Sequence, residues 1–250
     1  MSPRLAFALE AAVAAGKGTM KHFQTGVAVQ TKEDDSPVTI ADQEAEAHLR
    51  KLIEKSYPGE PILGEEEGQT GEGDDRWVID PIDGTKSFIC GVPLFATLLS
   101  YEVAAEPVIG ICYFPALDEL LYAVKGGGSL WRGKPCRVSE RTSLEGSVLC
   151  SAGYLGLKQK GLMPGFECVS EGALATRTWC DAYGHALVAS GRVDAMIDPS
   201  IKRWDVSAMS LIVREAGGRF TDLDGREELG DTAISSNWWI HDALLKGLKE

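Results

Sequence analysis

Two aspartates three residues apart, Asp80 and Asp83, close the apolar run RWVID and are followed by Gly84 and Thr85. In an extended strand, residues at i and i+3 point to opposite faces and lie roughly 10 Å apart. The two carboxylates therefore converge only if the backbone turns between them. Pro81, which fixes φ, and the Asp-Gly pair both favour such a turn. The stretch is either a paired-carboxylate site or a plain acidic loop.

Two further acidic segments stand in unusual settings. Glu65, Glu66 and Glu67 follow an apolar strand in LGEEEG, where adjacent like charges repel unless solvent or a cation separates them. Asp205 follows a tryptophan in RWDVSAM, at a predicted helix start, where a negative charge also suits the helix dipole. Each segment has an ordinary explanation of its own, a solvated turn and a helix start. Together with the aspartate pair they indicate a cation site.

The ligands of this cation site would all be oxygen atoms. Carboxylates and turn carbonyls without a cysteine or histidine cluster suit Mg²⁺, Mn²⁺ or Ca²⁺ rather than zinc or copper. The spacing excludes an EF-hand, whose ligands alternate at positions 1, 3 and 5 of its loop. Sites of this kind serve phosphate chemistry, where paired Mg²⁺ ions hold the attacking and leaving oxygens. The Thr85 hydroxyl would either orient the attacking water or bond the local turn.

Composition limits the partners. The chain has 250 residues, 44% of them hydrophobic, and a formal net charge of -12. It can bury a large core as one fold or as two closely packed halves, without a loose linker. Nucleic-acid and anionic-membrane binding rest on basic patches, so the acidic charge argues against both. We expect small phosphorylated metabolites and metal ions as partners.

The cysteines and the apolar runs predict a cytoplasmic protein. The six cysteines form no Cys-x-x-Cys pair, which is typical of reduced, buried thiols. The N-terminal run LAFALEAAVAAG is interrupted by Glu10 and has helical spacing, which favours an amphipathic helix over a signal peptide. No stretch reaches the eighteen or more apolar residues of a membrane span.

The candidate ligands need a scaffold of helices and strands. The spacing predicts helices over residues 3–24 and 40–56, and then a mostly antiparallel strand series in PILGEE, RWVID, FATLLSYEV, PVIGICYF and ELLYAVKGG. After residue 140, strand-like SVLCSAG, ALATRTW, DAMID and AISSN alternate with helix-like DAYGHALVASG, RWDVSAMSLIVREAGG and WWIHDALLKGL. The expected fold is α/β, with a helix-on-sheet half at 1–140 that carries most ligands and an α/β half at 141–250.

Three motifs in this order resemble the inositol monophosphatase superfamily of lithium-sensitive, Mg²⁺-dependent phosphatases. They are GEE at Gly64–Glu66, WVIDPIDGTKSF at Trp77–Phe88 and WDVSAMSLIVREAGG at Trp204–Gly218, and the likeness extends from about Val38 to Leu248. The resemblance implies a five-layered α-β-α-β-α sandwich of the inositol monophosphatase and fructose-1,6-bisphosphatase type. It also implies a homodimer, with the site between the two halves of each chain.

The same resemblance implies a metal-ligand set. Glu65, Asp80 and the backbone carbonyl of Ile82 would hold the first ion. Asp80, Asp83 and Asp205 would hold the second, and a third, weaker ion would use Glu65. The expected cofactor is therefore Mg²⁺, two or three ions per site, with Mn²⁺ as the alternative.

Catalytic and phosphate-binding roles follow from the same likeness. Asp83, Gly84 and Thr85 would contact the phosphate, whose oxygens suit backbone N–H groups presented by a turn. PVTIADQEAE matches the family segment whose aspartate, here Asp42, bonds the catalytic threonine. Thr85 would then act with Glu65 to activate the attacking water. Asp42 also fits a capping box that opens the second helix, and both roles are compatible.

The substrate is indicated by residues around these motifs. Lys86 and Ser87 differ from the Thr-Asn of inositol monophosphatases and the Lys-Glu of bisphosphate nucleotidases, and DPIDGTKSFICGVPLFATL looks most like histidinol-phosphate phosphatases. TWCDAYGHALVASGRVDAMIDP looks like the pocket segment, with Asp181 and Asp198 facing the organic part of the substrate. Two carboxylates suit an ammonium and an imidazole, although inositol hydroxyls could use them too. Cys180 stands where glycine is expected, and its side chain would narrow the pocket.

The expected reaction is thus hydrolysis of L-histidinol phosphate to L-histidinol and phosphate. An inositol-1-monophosphatase or a broad-specificity phosphatase of the superfamily is the alternative. A haloacid-dehalogenase-type phosphatase is disfavoured, since its motif is Asp-x-Asp-x-Thr and the spacing here is Asp-x-x-Asp. A non-catalytic metal-binding protein would not need the water-activating pair of Thr85 and Glu65.

Three other features have ordinary interpretations. His185, in the apolar helix AYGHALVA, is expected to be a packed histidine rather than a catalytic base. Trp238 and Trp239 are expected to pack at a helix start, with a subunit interface as the alternative. Lys86 lies either near the phosphate or in solvent.

Overall fold

The computed structural model describes residues 2–33, 35–179 and 181–250, and shows an α/β protein with two main sheets. The helices are α1 (Pro3–Thr19), α2 (Ile40–Ser56), α3 (Thr85–Ile89), α4 (Tyr154–Gln159), α5 (Met163–Ser170), α6 (Asp181–Ala189), α7 (Arg203–Glu215) and α8 (His241–Gly247). The strands are β1 (Val29–Thr31), β2 (Pro37–Thr39), β3 (Ile62–Gly64), β4 (Gly68–Thr70), β5 (Arg76–Asp83), β6 (Ala96–Val103), β7 (Glu106–Phe114), β8 (Glu119–Val124), β9 (Gly128–Trp131), β10 (Lys134–Pro135), β11 (Val148–Ser151), β12 (Ala175–Arg177), β13 (Ala195–Asp198), β14 (Arg219–Thr221) and β15 (Ala233–Ser236). Among the described helices, none is long and apolar enough to cross a membrane.

The larger sheet has the strand order β10-β9-β8-β7-β6-β5-β3-β4, and the smaller sheet β12-β11-β13-β15-β14. Neighbours in the larger sheet are antiparallel apart from the parallel pair β3 and β5, as the short runs of the N-terminal half predict. In the smaller sheet β11 runs parallel to both β12 and β13. Strands β1 and β2 form a separate hairpin. The larger sheet ends at Pro135 and the smaller begins at Val148, and a division at residue 140 stays a prediction.

The elements stack in five layers. Helices α1 and α2 cover one face of the larger sheet, where Leu49 and Trp77 are fully buried. Helices α6 and α7 lie between the two sheets and contact both. Helices α4, α5 and α8 cover the outer face of the smaller sheet around Ile234. This order confirms the predicted α-β-α-β-α sandwich.

Helix α7 lies in the middle layer of the molecule, between the two sheets. Val206–Val213 is buried throughout, including two serines, because sheets lie on both of its sides. A helix buried all round is positioned by its neighbours on every side rather than by one apolar stripe. The start of α7 is therefore held in a fixed place between the two sheets.

The structure departs from the predicted elements at several points. The first helix ends at Thr19 rather than near residue 24, and α4, α5 and the β1–β2 hairpin were not predicted. The prediction that Trp238 and Trp239 pack at the start of the last helix is wrong. Both rings are 62% exposed, because α8 begins only at His241 and the preceding turn is held by other bonds. In that turn, Asn237 Oδ1 accepts the N–H groups of Trp239 and Ile240.

His241 is a buried histidine at the start of α8. Its Nε2 lies 2.9 Å from Thr221 Oγ1 and its Nδ1 lies 2.7 Å from Ser236 Oγ. Burial, assisted by the guanidinium of Arg219, lowers the pKa of His241 to about 4. The folded protein therefore holds this ring neutral at a pH at which the unfolded chain protonates it.

We predict that His241 makes the fold sensitive to acid. The unfolded histidine titrates near pH 6.5, so the folded state binds fewer protons between pH 6.5 and about 4. The stability that depends on the neutral ring is complete above pH 6.5 and is lost as the pH falls, by up to about 3 kcal/mol. Urea unfolding of the wild type and His241→Gln from pH 4.5 to 7.5 measures it. The free-energy advantage of the wild type should shrink toward acid, and parallel pH curves would contradict the prediction.

Candidate active site

Three carboxylates meet where the larger sheet faces α7. Oxygen atoms of Asp80, Asp83 and Asp205 lie within 4.8 Å of one another. Strand β5 carries the first two residues and runs through to Asp83, without the turn that the sequence predicted between them. Instead its pairing with β6 shifts register between Asp80, opposite Leu98, and Asp83, opposite Ala96. This irregularity replaces the predicted turn and brings the two aspartates together.

Burial makes the charged form of this cluster costly. Asp80 is 1% exposed, and burial, then the charges of Glu65, Asp83 and Asp205, raises its pKa well above the usual range. Burial and neighbouring carboxylates likewise raise the pKa of Asp83. For Asp205, burial is the main cause of a pKa raised to about 7. The cluster is therefore a place where positive charge is strongly favoured.

The atoms of the cluster fit a hard divalent cation. Among the described residues, Asp80 Oδ1 is buried and has no hydrogen-bond partner. Asp205 Oδ2 accepts the N–H of Lys202 at 2.7 Å, a bond that closes the first turn of α7. An orphaned carboxylate oxygen beside two further carboxylates is a donor set for Mg²⁺, Mn²⁺ or Ca²⁺.

Glu65 lies at the edge of the same cavity, in the turn after β3. Lys32 Nζ lies 2.9 Å from Glu65 Oε1 and 2.8 Å from Glu66 Oε1. Burial lowers the pKa of Lys32, but its two ion pairs outweigh burial and raise that pKa overall. Burial raises the pKa of Glu66 to about 7, against the effect of Lys32. Glu65 thus borders the aspartate cluster while paired with an ammonium group.

A buried carboxylate on α2 holds the turn that carries Glu65 through hydrogen bonds to its backbone. Glu46 on α2 accepts the N–H groups of Glu66 at 2.8 Å and Glu67 at 3.0 Å. Its carboxylate lies where a Cβ on residue 64 would be, so only Gly64 allows this close approach. Glu46 is therefore a supporting residue of the site that sequence reasoning missed.

Thr85 lies beside Asp42, as the family resemblance implied. Thr85 Oγ1 is 3.3 Å from Asp42 Oδ1 and 3.1 Å from the carbonyl oxygen of Ile82. The other oxygen of Asp42 accepts the N–H and the hydroxyl of Thr39, at 2.8 and 2.6 Å, in a capping box. Burial raises the pKa of Asp42. One carboxylate thus both caps α2 and faces the threonine hydroxyl, so the capping box is confirmed.

Gly84 allows an acidic side chain to approach the cluster. Its φ of +82° suits glycine, and an added Cβ would lie 2.9 Å from Asp181 Oδ2. The neighbouring Asp83 accepts the N–H of Ala182 at 2.7 Å, which ties β5 to the start of α6. Asp181 is therefore held directly beside the Asp83–Gly84 turn.

A cavity of about 770 Å³ opens in front of these residues. Asp181 and Asp198 both line it, and burial, followed by the charges of Asp181 and Asp205, raises the pKa of Asp198 to about 8. Tyr154 and Leu155 of α4 line another part of the wall and are largely exposed. The expected narrowing of the pocket by Cys180 lies outside the described residues. The cavity is acidic beyond the aspartate cluster and apolar at its rim.

Two further residues at this cavity had been given interpretations from the sequence. His185 is 1% exposed, its Nδ1 lies 2.7 Å from Ser235 Oγ, and its ring contacts Phe220, which confirms a packed histidine. Burial lowers the pKa of His185 to about 3, so the ring is neutral. Lys86 lines the cavity and is exposed, so both of its expected positions, near the phosphate and in solvent, stay predictions.

Some residues at the site had no sequence-based prediction. Lys32 reaches Glu65 from the β1–β2 hairpin, and no local pattern signals a contact between two loops. Glu46 and Arg50 are spaced four residues apart on α2, which indicates a helix pair but not its contact with the Glu65 turn. Tyr154 and Leu155 stand on a six-residue helix, too short to show a helical period.

Comparison with known proteins gives one consistent family. The profile of the inositol monophosphatase family matches residues 1–249. A histidinol-phosphatase of Chlorobaculum parvum is 41% identical over 244 residues, 95% of this chain and 93% of the relative. An inositol-1-monophosphatase of Mesorhizobium japonicum is 34% identical and covers 97% of this chain and 94% of its own. The crystal structure of the extragenic suppressor protein suhB of Bartonella henselae superposes with a TM-score of 0.93 at 30% identity, covering 100% of this chain and 99% of that one.

We predict that Asp80→Asn stabilises the metal-free protein. The substitution removes a buried charge that three neighbouring carboxylates repel, and we expect a gain of about 1 to 3 kcal/mol in the free energy of unfolding. Urea unfolding in the presence of a chelator measures this gain. Saturating Mg²⁺ should raise the Tm of the wild type and leave that of the variant nearly unchanged.

The exposed Asp74→Asn is the matched control, since it removes an aspartate charge away from the cavity. It should alter neither the metal-free stability nor the response to Mg²⁺. A wild type more stable than Asp80→Asn without metal would contradict the idea of a repulsive cluster.

Proposed function

The chain belongs to the inositol monophosphatase family and is a phosphoric monoester hydrolase, and we propose that its substrate is L-histidinol phosphate, hydrolysed to L-histidinol and phosphate. The observation that carries the substrate is the pair of acidic side chains, Asp181 and Asp198, on the cavity wall beyond Gly84. L-Histidinol phosphate bears an ammonium and an imidazole, both of which a carboxylate binds through charge-assisted hydrogen bonds. Its place in histidine biosynthesis follows from this substrate.

The family is metal-dependent, and we assign the ions to the carboxylates of the cluster. Asp80, Asp83 and Asp205 would share one Mg²⁺, and Asp80 would share a second with Glu65 and the Ile82 carbonyl. A third, weaker ion would bind at Glu65, and Mn²⁺ is an alternative metal. When bound, the cations supply positive charge that polarises the phosphate ester and makes water more acidic. They also offset the repulsion between the buried carboxylates.

Thr85, Asp42 and Glu65 would prepare the attacking water. The Thr85 hydroxyl donates to Asp42 or to the Ile82 carbonyl, which leaves a lone pair of its oxygen to accept a hydrogen bond from water. Asp42 is itself fixed by two bonds from Thr39, so the threonine hydroxyl has a defined direction. Glu65 would accept a water proton as the new bond forms.

The phosphate would sit against the turn at Asp83–Thr85, where backbone N–H groups of Gly84 and Thr85 suit its oxygens. The water oxygen bonds to phosphorus as the ester bond between phosphorus and the histidinol oxygen breaks. The electron pair of the broken bond leaves with that oxygen, which takes up a proton to become the alcohol. Atoms and charge balance with water as the second reactant.

Asp198 supports a cationic substrate most directly. Its raised pKa follows from burial and from the nearby charges of Asp181 and Asp205, so an ammonium group placed there relieves an existing cost. An uncharged polyol gains less from the same carboxylate, because neutral hydrogen bonds are weaker than charge-assisted ones.

A second candidate is an inositol-1-monophosphatase or a phosphatase of broad specificity. The similarity to the Mesorhizobium japonicum inositol-1-monophosphatase favours it, and carboxylates at the cavity wall also accept bonds from inositol hydroxyls. A homodimer and lithium sensitivity, drawn from the family resemblance, and a cytoplasmic location, drawn from the cysteines and the apolar runs, are further proposals.

We predict that phosphate release in Mg²⁺ is at least a hundredfold more efficient, in kcat/KM, with L-histidinol phosphate than with myo-inositol 1-phosphate. This ratio equals about 2.7 kcal/mol in the transition state. Both substrates are assayed side by side, with Asp80→Asn as the blank for contaminating phosphatases. The reverse ratio would identify an inositol monophosphatase, and comparable values would identify a broad-specificity enzyme.

We predict that Asp198→Asn lowers kcat/KM for L-histidinol phosphate by about 10- to 100-fold, the cost of losing one hydrogen bond to a charged group. The same variant should change myo-inositol 1-phosphate hydrolysis less than about threefold, since no ionic bond is lost. Asp74→Asn again serves as the control and should leave both rates unchanged. An equal loss on both substrates would assign Asp198 to the common chemistry rather than to substrate choice.

A further inference from the structure

Glu102 is a fully buried carboxylate on β6 that the proposed mechanism does not use. It is 0% exposed. Its oxygens accept from Arg76 Nε at 2.9 Å, Arg203 Nε at 2.9 Å and Ser207 Oγ at 2.7 Å. A buried charge is tolerated only when it is paired and hydrogen-bonded, and this one has two guanidinium groups and a hydroxyl.

Two of the three donors belong to the first turns of α7. Arg203 and Ser207 are four residues apart, and residues at that spacing share one face of a helix. Asp205 stands midway between them, about 200° around the helix axis, on the other side. Glu102 therefore binds α7 on the face opposite Asp205, and these bonds fix the rotation of the start of the helix about its axis.

Further hydrogen bonds hold the start of α7 against β6. The Arg203 guanidinium also donates to the carbonyl of Ala105, just beyond the end of β6. Ser207 Oγ lies 2.6 Å from Ser100 Oγ, and Ser100 stands two residues before Glu102 on β6. The three residues that bond the start of α7, Ser100, Glu102 and Ala105, all stand on or beside β6, the strand that pairs with β5. The start of α7 is thus fastened to the strand next to the one that carries Asp80 and Asp83.

This fastening opposes a force that the cluster creates. Like charges on Asp80, Asp83 and Asp205 push the start of α7 away from β5 unless something holds it. Mg²⁺ demands near-ideal octahedral ligand geometry, so a small shift of one carboxylate weakens its binding. Residues that hold a ligand in place are commonly worth 10- to 100-fold in metal affinity.

We propose that Glu102, acting through Arg203 and Ser207, is a positioning residue that sets Asp205 for cation binding. The inference rests on the proposed metal-dependent function and deepens it. Glu102 does not line the cavity, so its effect on Asp205 passes through the first turns of α7.

The test measures Mn²⁺ binding to the full chain without substrate. Ser207→Ala and Arg203→Gln each remove one of the two α7 side chains that bond Glu102, and the metal-free proteins are titrated with Mn²⁺ by calorimetry. The expected result is a Kd raised about tenfold or more in each variant. Urea unfolding of the same samples records how much stability each substitution removes.

Arg76→Gln is the matched control. It removes a guanidinium from the same carboxylate, but Arg76 belongs to β5 and bonds Glu102 across the sheet rather than from α7. This variant should lose comparable stability and keep its Kd for Mn²⁺ within about twofold of the wild type. Glu102→Gln, if it folds, should resemble the two α7 variants in affinity.

Two results would overturn the inference alone. One is an unchanged Kd in Ser207→Ala and Arg203→Gln, and the other is an equal rise in Arg76→Gln, which would reveal general destabilisation. A wild type that fails to bind Mn²⁺ would instead overturn the proposed metal site together with this inference, so the two failures are distinguishable.

Discussion

Mutual repulsion between buried carboxylates is the constraint on which the rest of this molecule depends. Oxygens of Asp80, Asp83 and Asp205 lie within 4.8 Å of one another, where two unit charges repel by about 3.5 kcal/mol or more at an effective dielectric constant of about 20. The fold has to hold these groups together before any cation arrives. Because the scaffold is rigid, the repulsion does not move the three carboxylates apart. Together with burial it raises the pKa of each of them instead.

The residues of the cluster are held in place by several elements of the fold. The shifted register with β6 holds β5, and the N–H of Ala182 ties Asp83 to α6. The N–H of Lys202 holds Asp205, while Glu102 fastens the same helix from its other face. Because these elements come from distant parts of the chain, no local segment can form the site alone. The five-layered sandwich is what brings them together.

Much of this site could be predicted from the sequence, because it is built from short acidic motifs. The aspartate pair, the Glu65 turn and Asp205 indicated a cation site, and the family resemblance connected them to phosphate hydrolysis. The path of β5 could not be predicted, since its register shift depends on pairing with Ala96. The contact of Lys32 with Glu65 joins two loops and leaves no periodic signal. The exposure of Trp238 depends on where the last helix begins, and the run WWIHDALLKGL does not reveal that position.

Helix α7 lies between the two sheets but comes late in the chain, at Arg203–Glu215. During synthesis on the ribosome, every strand of the larger sheet emerges before this helix does. The inner face of that sheet therefore stays uncovered until translation has passed four fifths of the chain. Exposed apolar strands of this kind are prone to aggregation, so the order of the elements along the chain places the greatest risk of aggregation before α7 is made.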